Sequence, residues 1–210
     1  MPDVVTCSML IGGLCKVGRV VVAEQLFKHM QAHGPRPDII TYGTLIDGLC
    51  VNGCLPEAIE LLHKMESDGL KADVCMYTGI INNMCKAGKL VEAKEIFGNL
   101  SSKELQPNTR TYTTMLNGLF NGGMWNDAEN LFKEMEKKGV PPSDHTFNIM
   151  VQGFLYEKMF CKAMEFLHTM NERGFSPSSQ VVSLMVNLVA AGEPSHEPID
   201  VLRKYLLGDK

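Results

Sequence analysis

Apolar residues recur along the chain in two alternating helical patterns. In the first stretch, VVTCSMLIGGLCKVG, Leu10, Ile11 and Leu14 fall at i, i+1 and i+4 on one helical face. In the second stretch, RVVVAEQLFKHMQAHG, the spacing i, i+3, i+4, i+7 from Ala23 to Met30 is that of an amphipathic helix. The two patterns together predict a helical hairpin.

Polar residues and helix breakers mark the ends of these helices. Threonine is an expected N-cap of the first helix, at Thr6, Thr41, Thr111 and Thr146. Glycines are expected to end the first helix, at Gly18, Gly53, Gly88 and Gly123. A second glycine column follows the second helix, at Gly34, Gly69, Gly139 and Gly174. Two glycine positions are filled by other residues, Glu104 and Lys158.

The hairpin repeats every 35 residues without insertions over five units. A small residue at the same place in each second helix suits close helix contact, and the column comprises Ala23, Ala58, Ala93, Ala128 and Ala163. One hairpin cannot bury both of its apolar faces, so neighbouring hairpins must stack. The pattern therefore predicts an all-α fold, a right-handed α-solenoid of about six stacked antiparallel helical hairpins.

The period also sets the domain boundaries. Residues 1–3 match the end of a preceding repeat, so the chain resembles the tail of a longer array or a truncated one. The repeats are 4–38, 39–73, 74–108, 109–143 and 144–178. Residues 179–210 form a degenerate C-terminal capping repeat, in which the loop GEPSHEP precedes a short helix, IDVLRKYLL.

Composition narrows the range of functions that the chain could have. The chain has 210 residues, a net charge of −4 and seven cysteines. This charge excludes nucleic-acid binding by bulk positive charge, although a local basic stripe stays compatible with it. Cys15, Cys50 and Cys85 share one apolar column, where buried thiols behave as small hydrophobes in a reducing, intracellular setting. We expect no membrane span and recognise neither a signal peptide nor a transit peptide.

No motif indicates catalysis, a metal or a cofactor. His29 and His33 have metal-ligand spacing, but no further ligands follow them. Cys50 and Cys54 are also four residues apart, across the end of a helix. Phosphate-binding glycine loops, nucleophile elbows and deaminase signatures are missing. The protein is therefore not expected to be an enzyme.

The period and the columns TYGTLIDGLC, KAGKLVEAKEIF and NDAENLFKEMEKKGVPPS, with a terminal Pro-Asp or Pro-Asn, resemble the pentatricopeptide repeat proteins of plants. The resemblance covers about residues 2–178 and favours the pure 35-residue subclass, which includes restorer-of-fertility-like members. It implies sequence-specific binding of single-stranded RNA, with one base read per repeat.

In this family the fifth and last residues of a repeat read the base, and the second residue packs against it. Carried over, the reading pairs are Ser8 with Asp38, Gly43 with Asp73, Thr78 with Asn108, Thr113 with Ser143, and Asn148 with Ser178. The base-sandwiching column is Val5, Ile40, Cys75, Arg110, His145 and Gln180. The phosphate-contacting lysines are Lys16 and Lys86. The residues alone leave another interpretation open, in which the last-column residues only cap helices.

The family's reading rules imply a target. Ser–Asp should prefer G, Thr–Asn should prefer A, Thr–Ser a purine, and Asn–Ser C over U, while Gly–Asp is undetermined. The expected core is G-N-A-R-Y, with the N-terminus toward the RNA 5′ end. Five stacked bases supply about 5–15 kcal/mol, and association costs about 4–15 kcal/mol. We therefore expect weak binding by this chain alone.

Two rival functions remain from the sequence. The acidic charge also suits a protein-interaction scaffold of the same shape, and the start inside a repeat suits a truncated copy of low activity. Self-association through the N-terminal hairpin is a further expectation. By resemblance, the location is the mitochondrion, with the chloroplast as the alternative.

Overall fold

The computed structural model describes residues 2–190, and every regular element in that range is helical. The described residues divide into two compact units, one that ends at Pro107 and one that begins at Asn108. The first unit contains α1 Val4–Lys16, α2 Val20–His33, α3 Ile39–Val51, α4 Leu55–Ser67, α5 Val74–Lys86, α6 Leu90–Asn99 and a 3-10 turn Ser101–Lys103. The second contains α7 Thr109–Asn121, α8 Trp125–Lys137, α9 Asp144–Tyr156, α10 Phe160–Glu172 and α11 Ser179–Ala190. The predicted all-α fold is confirmed.

Within each unit the helices form the hairpin stack that the period predicts. The odd-numbered helices pack side by side, α1 on α3 and α3 on α5 in the first unit, and α7 on α9 and α9 on α11 in the second. Each of the five even-numbered helices packs on the odd-numbered helix that precedes it. The odd-numbered helices therefore form one layer of each unit.

The alanine column lies in the buried core. All five alanines are fully buried, which confirms the small-residue prediction. Phe27, Phe132 and the methionine column Met30, Met65, Met135 and Met170 are buried, whereas Phe97 is half-buried. Burying one such large apolar side chain stabilises the fold by about 1.5–3 kcal/mol.

Two glycines permit close approach of neighbouring first helices. A Cβ at Gly48 would lie 2.6 Å from the Cβ of Cys15, and one at Gly153 would lie 2.5 Å from Cε1 of Phe120. A Cβ at Gly13, the same position in α1, would meet nothing within 4 Å. The missing side chains of Gly48 and Gly153 therefore permit these two contacts with the preceding first helix.

The loops inside the hairpins turn through one left-handed residue. Gly18, Gly53, Gly88 and Gly123 have φ between 70° and 81°, which confirms them as the helix-ending glycines. Lys158 takes the fifth position of this column with φ of 56°, and Glu104, in the glycine position that follows a second helix, has φ of 62°. A side chain in this region is strained, because its Cβ approaches the following carbonyl oxygen.

None of the helices between residues 2 and 190 is long and apolar enough to span a membrane. Cys15 and Cys50 are buried and Cys85 is half-buried, and their thiols are free. Burial raises the pKa of the Cys50 thiol to about 12. The predicted loop and short helix after residue 190 lie outside the described residues.

Candidate nucleic-acid interface

The last residue of each repeat caps the first helix of the next repeat. Asp38 Oδ1 accepts a hydrogen bond from the backbone N–H of Thr41 at 2.8 Å, and the same bond joins Asn108 to Thr111 at 3.0 Å. Thr6, Thr41, Thr111 and Thr146 are therefore not the N-caps predicted from sequence; they stand three residues later. An N-cap residue has an extended backbone conformation. Asp38 has this conformation, whereas Thr41 already lies inside α3. The last-column residues therefore cap helices, and base reading by the same residues stays a prediction.

The fifth residues lie beside these caps and are largely buried. Ser8, Thr78, Thr113 and Asn148 expose only 5–8% of their surface. Each side chain bonds the backbone carbonyl four residues earlier, as Ser8 Oγ does to Val4 at 2.8 Å and Asn148 Nδ2 to Asp144 at 2.8 Å. Only a small part of each reading side chain is therefore open to a ligand.

In the first repeat, a threonine hydroxyl connects the two predicted readers. Ser8 Oγ lies 2.8 Å from Thr41 Oγ1, and Thr41 Oγ1 donates to Asp38 Oδ1 at 2.8 Å. The hydrogen bond from the Thr41 N–H lowers the pKa of Asp38, so the carboxylate is favoured. Asp38 is half-buried, and its second oxygen remains as an acceptor for a ligand.

The second unit repeats this arrangement. Thr113 Oγ1 lies 2.8 Å from Thr146 Oγ1, which lies 3.0 Å from Ser143 Oγ. In the next repeat the link is direct, because Asn148 Oδ1 accepts a hydrogen bond from the Ser178 backbone N–H at 2.7 Å. The structure thus brings three of the five predicted pairs together.

The second repeat is built differently. Gly43 has no side chain, and Met76 stands where the second and fifth repeats have the connecting Thr41 and Thr146. A Cβ at Gly43 would lie 2.9 Å from the terminal methyl of Met76. Asp73 still caps its helix, with Oδ1 accepting from the Met76 N–H at 2.9 Å. The residues of the third pair, Thr78 and Asn108, belong to two different units.

The predicted sandwiching residues are exposed. Val5 and Ile40 expose 61% and 66% of their surface, and Cys75, Arg110, His145 and Gln180 are also exposed. Each lies in the first turn of an odd-numbered helix, one residue after the helix begins. An aliphatic side chain exposed there can pack against a flat ligand without moving.

Charge along the described odd-numbered helices is sparse and balanced. The predicted phosphate contacts Lys16 and Lys86 are both exposed in the last turn of their helices. The other charged residues on these helices are Arg110, Asp47 and Asp144. Asp3, Asp38 and Asp73 add negative charge at the caps. Among residues 2–190, no group of three His, Cys, Asp or Glu side chains could hold a metal ion.

Sequence reasoning missed the role of the third residue of each repeat. Thr41 and Thr146 connect the reader of one repeat to the cap of the next, and Met76 replaces them in the third repeat. The available signal was the recurrence of threonine in one column, which we interpreted as a cap.

These features define a helical-hairpin repeat protein with a polar site at the junctions between repeats inside each unit. Models of the PPR repeat family match residues 2–51, 72–121 and 111–156, and a PPR repeat model matches residues 40–70 and 145–175. These ranges cover most of the sequence. The chain belongs to the pentatricopeptide repeat family.

Solved structures with this fold include the pentatricopeptide repeat protein PPR10 from maize. It is 26% identical with a TM-score of 0.75, and the match covers 100% of this chain and 30% of PPR10. PPR10 in complex with an 18-nt psaJ RNA element matches with 24% identity and a TM-score of 0.77, over 99% of this chain and 31% of that chain.

The PPR domain of Arabidopsis thaliana protein-only RNase P 1, in complex with tRNA, is 16% identical with a TM-score of 0.69. That match covers 85% of this chain and 94% of the domain. A search of curated proteins found no match. The chain thus spans about 30% of the length of PPR10.

Proposed function

We propose that this chain binds single-stranded RNA and reads one base per repeat through the fifth and last residues. The observation that carries the proposal is the pairing of these residues at the junctions between first helices. Ser8 connects to Asp38 through one hydroxyl, and Asn148 bonds directly to Ser178. Maize PPR10 and the Arabidopsis RNase P 1 domain were both solved with RNA, which supports RNA as the ligand.

The junction offers the chemistry that a base requires. An exposed aliphatic residue, such as Val5 or Ile40, covers one face of the base, and successive bases stack along the row. The cap residue presents a polar atom toward the Watson–Crick edge. Asp38 offers an acceptor, Asn108 an amide and Ser143 a hydroxyl. Different caps therefore favour different bases.

The proposed activity is binding rather than catalysis. The hydroxyls at the junctions bond backbone carbonyls and neighbouring hydroxyls, as Thr113 does to Thr109 O at 2.7 Å. A hydroxyl held in this way has no adjacent base to activate it as a nucleophile. We propose that the protein acts by occupying its RNA, which protects the segment, blocks a structure or recruits a processing partner.

A selection from randomised short RNAs tests this proposal. The wild-type chain should enrich G-N-A-R-Y at low salt, where weak phosphate contacts contribute most. The matched variant is Thr113→Asn, which gives the fourth repeat the Asn–Ser pair of the fifth. It should change the fourth enriched letter from a purine to C or U and leave the other letters unchanged.

Two results would count against the proposal. Equal enrichment of all bases at the first and third letters would show that Ser8–Asp38 and Thr78–Asn108 do not read bases. An unchanged fourth letter in a folded Thr113→Asn variant would show that the fifth residue takes no part in recognition. Circular dichroism establishes that the variant retains its helices.

The balanced charge of the odd-numbered helices favours a second candidate, a protein-interaction scaffold. A groove that binds RNA mainly through phosphates carries an excess of Lys and Arg, whereas the odd-numbered helices carry Asp47 and Asp144 as well as Lys16, Lys86 and Arg110. Crosslinking the tagged protein in cells distinguishes the candidates, because attached RNA supports the first and attached protein alone the second.

We propose an organellar transcript as the target, in the mitochondrion or alternatively the chloroplast. The support is the family membership. Weak binding by this chain alone, and activity as part of a longer array or complex, follow from its few readable junctions.

A further inference from the structure

One junction in the first unit departs from the others in a coordinated way. The second repeat has glycine at its reading position, and the following helix has methionine, not threonine, at its third residue. The terminal methyl of Met76 lies 2.9 Å from where a Cβ of Gly43 would be. Met76 is half-buried, so part of its side chain faces solvent beside the cap residue Asp73.

The neighbouring junction shows what this replacement removes. Ser8 and Thr41 supply two hydroxyls that bond each other at 2.8 Å. Thr41 also bonds Asp38, both through its N–H and through its hydroxyl. Asp73 keeps only the backbone bond from Met76 N–H. The second junction therefore has one carboxylate, no side-chain hydroxyl and a flexible apolar chain.

We propose that Met76 is a specificity-determining residue that makes the second repeat indifferent to base identity. The proposal rests on the proposed RNA-binding function. Met76 fills the volume of the missing fifth side chain, so a base there meets a thioether chain and the free oxygen of Asp73. A thioether adapts its shape and does not direct hydrogen bonds.

The chemistry of the bases explains the indifference. Every RNA base has at least one donor on its Watson–Crick edge, so a single carboxylate oxygen finds a partner on each. G alone presents two adjacent donors, and separating it from the others requires a second acceptor next to the carboxylate. Ser8 supplies that acceptor in the first repeat, and Met76 excludes it from the second.

A double-mutant cycle tests this assignment. Gly43→Ser with Met76→Thr rebuilds at the second junction the set Ser8, Thr41 and Asp38 of the first. The first letter serves as an internal control in every variant. Anisotropy titrations at low salt then compare RNAs that differ only at the second letter.

Wild type should bind all four RNAs with affinities within about threefold of one another, because no bidentate base contact discriminates among them. The double variant should prefer G at the second letter by about tenfold, equivalent to about 1.4 kcal/mol. Met76→Thr alone supplies no fifth side chain, and Gly43→Ser alone meets the Met76 methyl. Neither single variant should show the preference.

Three outcomes would overturn the inference. The wild-type chain could select the base at the second letter as strongly as at the first, or the Gly43→Ser variant could be as selective as the double variant. The third outcome is a folded double variant that shows no preference for G. Thermal unfolding of all four proteins verifies folding. Loss of selectivity at the first letter as well, or no binding to any RNA, would instead overturn the proposed function on which the inference rests.

Discussion

Asn148 and Ser178 are joined by a hydrogen bond of 2.7 Å, in which the Asn148 side-chain oxygen accepts from the Ser178 backbone N–H. They are the fifth and last residues of one repeat, so the two predicted readers are in contact before any ligand binds. Ser178 also caps α11, since the Val181 N–H lies 3.4 Å from its hydroxyl. The same pair thus belongs to the packing of the repeats and to the candidate site.

The first prediction follows from this bond. Asn148→Ala removes the acceptor for the Ser178 N–H and the donor to Asp144 O. We expect the free energy of unfolding to fall by about 1–3 kcal/mol, because a partly buried N–H loses its partner. Urea unfolding followed by circular dichroism measures the change. Asn130→Ala, at an exposed position of α8, is the matched control and should be neutral; an equal loss there would contradict the assignment.

The second prediction concerns the two glycines where first helices approach. Gly48→Ala places a methyl group against Cys15, and Gly153→Ala places one against the Phe120 ring. Each should destabilise the protein by about 1–3 kcal/mol through overpacking. Gly13→Ala meets nothing within 4 Å, and should be neutral or stabilising because alanine favours helix. Melting temperatures of the three variants decide the matter, and an equal loss for Gly13→Ala would refute the packing explanation.

Much of this architecture follows from the sequence, and the exceptions have physical reasons. The period, the hairpin and the alanine column predict the helices, because apolar spacing determines which faces can be buried. The N-caps were misplaced by three residues, since Asp38 and Thr41 are both good capping residues and only backbone conformation separates them. The Gly43–Met76 contact could not be predicted, because those residues are far apart in sequence and meet only through helix packing.

The third prediction tests the strained loop residues. Glu104 and Lys158 adopt left-handed backbone conformations with φ of 62° and 56°. Replacing either with glycine should stabilise the protein by about 1 kcal/mol, since the left-handed conformation costs a side-chain-bearing residue roughly 1–2 kcal/mol. The control is Lys28→Gly inside α2, which should destabilise by about 1 kcal/mol. Chemical denaturation of the three variants measures both signs, and a loss in Lys158→Gly would contradict the strain.

The fourth prediction concerns alkaline pH. The Tyr42 hydroxyl donates to Asp68 Oδ2 at 2.5 Å. Burial, and then this bond, raises the pKa of Tyr42 from about 10 to about 12. Because the folded state holds the proton more tightly than the unfolded state, the resulting stability is complete below pH 10 and disappears as the pH rises toward 12.

Unfolding free energies measured across that alkaline range test this prediction. Wild type should lose stability as the pH rises, and Tyr42→Phe should show a shallower slope. The variant should also be less stable at neutral pH by about 1 kcal/mol, the net value of one hydrogen bond. Identical slopes for the two proteins would show that Tyr42 does not carry the effect.

The last prediction separates capping from reading at a single residue. Asp38→Asn keeps an oxygen for the Thr41 N–H, as Asn108 does for Thr111, so the cap should survive. The amide replaces the outward acceptor with a donor. The Watson–Crick edge of A presents an acceptor beside its donor, whereas G presents two adjacent donors, so the preferred first letter should change from G to A.

Asp38→Ala should instead lose the cap, at a cost of about 0.5–2 kcal/mol, together with the preference. Thermal unfolding and RNA selection on the same three proteins measure both effects. A stable Asp38→Asn variant that still selects G would show that the residue caps the helix and reads nothing.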